Sequence, residues 1–179
     1  LVAPPEATPH GAVETMADGE RFGRFLRENR GRFGGVIVCL PNFGDENGAA
    51  AALREATVPI FIQAYPDEPA KLGPQTRRDA FCGKLALMSV LRQHGIRFTH
   101  LAPHVVGPTD REFAENIDYF DRVCRVVGRL RGLRIGMLGA RTTPFKSVRI
   151  DELALQKHGI TVETYDMASV IRRVRDLAA

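Results

Sequence analysis

The chain has no uninterrupted apolar run near the roughly 18 residues that a membrane helix needs, and no basic-then-apolar leader opens it. Its basic residues form no block. The 25 Lys and Arg are scattered among 21 Asp and Glu and leave a net charge of only +4, which fits a solvated surface better than a nucleic-acid stripe. Neither a bilayer nor nucleic acid is expected as a partner, and a cytoplasmic setting is expected. Cysteine is scarce: Cys39, Cys82 and Cys124 are odd in number and show no CxxC spacing. That predicts reduced thiols instead of a disulfide framework or a zinc knuckle.

Several chemical signatures are missing as well. Gly136 and Gly139 do not make a GxGxxG fingerprint, and no GxxxxGK[ST] element occurs, so dinucleotide and P-loop sites have no support. His10, His94, His100, His104 and His158 include no HExxH and no pair at helical spacing beside a carboxylate. No metal site can be assembled from such a set. His94 and His158 suit helix ends, where the dipole favours them.

What is present is an alternation of patterns in 179 residues, enough for one core or two small ones. GVIVCL (35–40), VPIFIQ (58–63), IRFTHL (96–101), RIGMLG (134–139) and ITVET (160–164) are short β-rich runs. Several are apolar without interruption, which predicts strands covered on both faces. Helical patterns lie at 16–29, 48–56, 82–95, 110–131 and 149–159, and Gly95 and Gly159 stand where left-handed caps would close two of them. The fold expected is α/β, a doubly wound, mainly parallel sheet with helices on both faces, as in Rossmann and flavodoxin-like proteins.

Ligands of such sheets sit beyond the carboxyl ends of the strands. Three loops leave those ends. PNFGDENG places Asn42, Asp45 and Glu46 just past a strand, although a turn followed by a charged first helical turn accounts for them equally well. QAYPDEPAKLGPQTRRDAFCGK is longer than a compact connection needs. LGARTTPF is the third and carries Arg141. His104 falls beyond the run IRFTHL, where a ligand can reach it.

The succession LPNFGDE, PIFIQAYPDEP, RRDAFCGKLALMSVLRQHGI, FTHLAPH, VCRVVGRLRGLRIGMLGAR and FKSVRIDELALQKHGITVETYDMASV resembles the N-terminal part of the L-fucose isomerase family. These are ketol isomerases related to L-arabinose isomerase, and the similarity runs over about residues 10 to 175. The resemblance implies an enzyme that interconverts an aldose and a ketose with a divalent metal, typically Mn2+, which polarises the carbonyl while a carboxylate moves the proton through an enediol. It places the catalytic carboxylates and metal ligands downstream of Ala179, so neither is expected in this chain. Residues 1–131 would form a first α/β domain lacking its first strand and helix, and 133–179 the beginning of a second.

In relatives, oligomer assembly brings this first domain against a neighbour's catalytic cleft. A homo-oligomer, trimeric or hexameric, acting on a monosaccharide is therefore implied, with the strand-end loops as cleft rim. On that reading His104 contacts sugar, Arg78 and Lys84 bond hydroxyls, Asp79 orients both, and Asn42 and Arg141 join the set. The simpler account makes Asp79 a helix cap, Arg77 and Arg78 solvated, and Cys82 a small buried hydrophobe beside a close-packed Gly83. An alternative function is a non-catalytic α/β sugar-binding or sensory module.

Overall fold

The computed structural model describes Thr8 and residues 11–178. The chain divides into two compact units, one extending to Arg125 and the other starting at Val126. Among the described residues no helix is long and apolar enough to cross a membrane.

The first unit begins with α1 (Met16–Glu28), started by Thr15, whose side chain accepts the Asp18 N–H. Strand β1 (Val36–Leu40) follows, then α2 (Glu46–Leu53), capped by Asp45, whose carboxylate accepts the N–H groups of Asn47 and Gly48. Small residues let α1 and α2 touch: a Cβ at Gly19 would lie 2.1 Å from the Gly48 carbonyl oxygen. Strand β2 (Ile60–Ala64) pairs parallel with β1, in register from Val36 opposite Ile60 to Leu40 opposite Ala64. Helix α3 (Ala80–Gln93) follows, and α4 (Arg111–Leu130) begins in this unit and its last turn belongs to the second. Its core gathers Leu40, Leu53, Ile60, Ile62, Leu87 and Leu91 around β2.

Strand β2 is buried along its whole length, Gln63 included, as its largely apolar run predicts, but β1 is not. Ile37 and Cys39 point outward, so expecting cover on both faces was wrong for β1. The run 96–101 is not a strand either. Thr99 alone exchanges bonds with β2, donating to the Ile60 carbonyl at 2.7 Å and accepting the Ile62 N–H at 3.0 Å. The cause lies on both sides of it: the Ile96 N–H is still committed to Leu91 of α3, and the chain bends from Ala102 on, where Pro103 has no N–H to give a ladder.

In the second unit, β3 (Arg134–Leu138) pairs parallel with β4 (Thr161–Tyr165), and α5 (Glu152–Lys157) lies between them in sequence. Helix α6 (Met167–Leu177) was not anticipated. Its signal was legible: Asp166 caps the Ser169 N–H, and Met167, Val170, Ile171 and Val174 fall at helical spacing. The molecule is thus α/β with short parallel strand pairs, β1–β2 and β3–β4. Gly95 and Gly159 take the left-handed conformation expected of helix ends, with φ of 69° and 76°.

Candidate functional site

Because β1, β2 and the Thr99 bridge all run parallel, the loops that leave them emerge at one edge. Helix α3 ties these loops together. A Cβ on Gly83 would sit 2.0 Å from the Phe43 carbonyl oxygen, so the loop after β1 rests directly on the helix backbone and only glycine fits. One residue on, Lys84 Nζ donates to the His104 carbonyl at 2.9 Å and holds the loop after Thr99. From β2, Gln63 Nε2 donates to the Val106 carbonyl at 2.6 Å.

A row of rings lies along this edge. Phe81 stacks on His104 at 6.1 Å between centroids, His104 meets His100 at 5.8 Å, and His100 meets Phe98 at 6.2 Å. Phe81, His100 and His104 are exposed, so the row presents a surface and is not a core.

The structure brings Lys84 and His104 together, but not as a pair facing outward. Lys84 is buried, 2 % exposed, and desolvation pushes its pKa down to about 8. Its ammonium has no carboxylate partner among the described residues. Asp79 orients neither cation. It immediately precedes α3 with φ of 52°, a left-handed conformation, and its side chain makes no hydrogen bond to the helix N–H groups it was expected to cap. The carboxylate pairs instead with Arg77 at 2.7 Å.

Arg78 belongs to Glu68, which accepts its guanidinium at 2.7 Å, and Asp67 Oδ1 accepts the N–H groups of Arg78 and Asp79 at 3.1 and 3.0 Å. Lys71 first, and Arg78 second, hold the Glu68 carboxyl below its ordinary pKa. Asn42 is exposed in the loop after β1. Arg141 lies in the second unit, where it donates to the Phe145 carbonyl at 3.1 Å. Cys82 is exposed, not a buried hydrophobe, and all three cysteines are free.

Sequence reasoning missed Gln63, Asp67, Glu68, Phe81 and His100. The acidic pair stands ten or more residues before Arg78 and Asp79, which it holds, and no local spacing announces a contact made by loop closure. Phe81 and His100 were legible only as apolar helix and strand-end residues.

Among the described residues no three His, Cys, Asp or Glu side chains are grouped as a metal site. The described donors therefore do not fit a resident Mn2+. No curated protein matches the chain. A family model described as the N-terminal domain of fucose/sulfoquinovose isomerase matches residues 1–131, the stretch that contains the loops after β1, β2 and Thr99, the ring row and both buried polar tethers, and the chain thus belongs to the fucose/sulfoquinovose isomerase family through that domain.

Proposed function

We propose that the chain serves a metal-dependent aldose–ketose isomerase as the part that builds the oligomer and lines the rim of a neighbouring subunit's cleft. The observation that carries this reading is the exposed ring row at the carboxyl edge, within the domain that the family match covers. Aromatic faces suit the C–H side of a sugar ring, and His104 adds a polar tip. Manganese, a trimer or hexamer and a cytoplasmic setting belong to the same proposal, with the metal held by residues outside this chain. So does a doubly wound sheet, for which the parallel pairing of β1 and β2 is the supporting feature.

Three cations of the loops and helix that carry the row are engaged, Arg77 by Asp79, Arg78 by Glu68 and Lys84 by the His104 carbonyl. The test is turnover by the protein expressed from its whole reading frame with Mn2+ and a panel of aldoses including L-fucose and sulfoquinovose. Interconversion of one aldose with its ketose is expected. His104→Ala should lower kcat/KM roughly 10- to 100-fold, the scale of one or two polar contacts. No turnover of any sugar in the panel would overturn the isomerase reading.

A further inference from the structure

Two buried polar side chains grip one loop from inside the sheet edge. Lys84, from α3, donates to the carbonyl of His104, and Gln63, from β2, donates to that of Val106 at 2.6 Å and to that of Ala64 at 3.0 Å. Both are costly where they stand. Lys84 is 2 % exposed with no carboxylate partner among the described residues, and Gln63 is 1 % exposed, its Oε1 finding no donor among them. Burying an ammonium or an orphaned amide oxygen works against stability, and an apolar side chain of similar size would fill either position more cheaply. Stability does not explain them. What they have in common is the segment 104–106, whose two carbonyls they hold while Val106 N–H bonds the Ala64 carbonyl at 3.0 Å.

Above this grip stand the exposed rings. His104 carries its ring outward to Phe81 and His100, while its carbonyl is fixed inward by Lys84. We propose that Lys84, seconded by Gln63, is a positioning residue for the substrate rim, holding the loop so that the His104 ring keeps its place in the row. This rests on the reading of that row as a sugar-facing rim.

The experiment uses the whole protein with Lys84→Met, which keeps length and loses the ammonium, and Lys84→Gln, which keeps a donor. Hydrogen exchange of the peptide spanning residues 100–107, thermal unfolding, and separate kcat and KM values are read for each. Lys84→Met should speed exchange at the Val106 amide about tenfold, the scale of one lost hydrogen bond, with no loss of melting temperature. KM should rise about tenfold with kcat within a few fold, and Lys84→Gln should recover part of both effects. Unchanged exchange in that peptide overturns the proposal. So does faster exchange spread evenly over the first unit, because that marks a merely structural residue. Local loosening with KM unchanged upholds the grip and overturns the rim reading instead.

Discussion

The strand pairs β1–β2 and β3–β4 are built to the same plan, five residues against five, parallel and in register, yet they end in different states. Every residue of β2 is buried, whereas no described residue after Phe120 is. Ile135 is 40 % exposed and Leu153 71 %. Local chemistry is not what separates them. Both have side-chain caps at their helices and hydrogen-bonded strands, and the second even carries an Arg134–Glu163 ion pair across its strands. The lesson is that pairing and capping define a motif, while burial depends on the layers laid over it.

The largest test of this contrast is truncation. Ile62→Ala, at a side chain with no exposure, should cost about 2 to 5 kcal/mol, and Ile135→Ala less than about 1 kcal/mol. Urea unfolding followed by circular dichroism measures both, and equal losses would break the comparison. Next comes Lys84. Its folded pKa is lowered from 10.5 to about 8, so between those values the unfolded chain binds more protons and stability rises with pH. The rise approaches about 3 kcal/mol and should be missing from Lys84→Met, whose unfolding curve against pH isolates it from other groups.

Glycines sharpen the contrast further. Gly83→Ala forces a Cβ into the Phe43 carbonyl and should lose about 1 to 3 kcal/mol. Gly128→Ala, also in a helix but with nothing within 4 Å, should gain up to about 1 kcal/mol. The smallest effect belongs to Glu163→Gln. Arg134, above all, holds that carboxyl below its ordinary range, so its contribution is present at neutral pH and lost as pH falls through the depressed value. The pair is exposed, and the urea midpoint should barely move and move less still in high salt.

Much of the fold could be read from periodicity, because helix spacing and β-rich runs are local properties. The helices α1 to α5 and four of the five expected strands stand close to where the pattern puts them. IRFTHL failed because its neighbours intervene, a helix cap on one side and a bend on the other. Asp79 failed because capping needs an extended backbone as well as a carboxylate, and φ is not written in residue type. At the site, the strand-end rule put His104 in a loop that leaves the sheet on the same side as those after β1 and β2, which is where it stands. It could not show that Lys84 turns inward or that Glu68 takes Arg78, since both contacts depend on how a long loop folds back.

That long loop is closed at its base. Asp67 grips the backbone of Arg78 and Asp79 while Glu68 grips the Arg78 side chain, so the residues between them form a loop whose two stems are already joined. Closing entropy is therefore met at the stems and grows only slowly with added length. Leu72, 63 % exposed near the tip, accordingly marks a port in the chain, where an epitope or fluorophore can be spliced in and carried outside without pulling on α3.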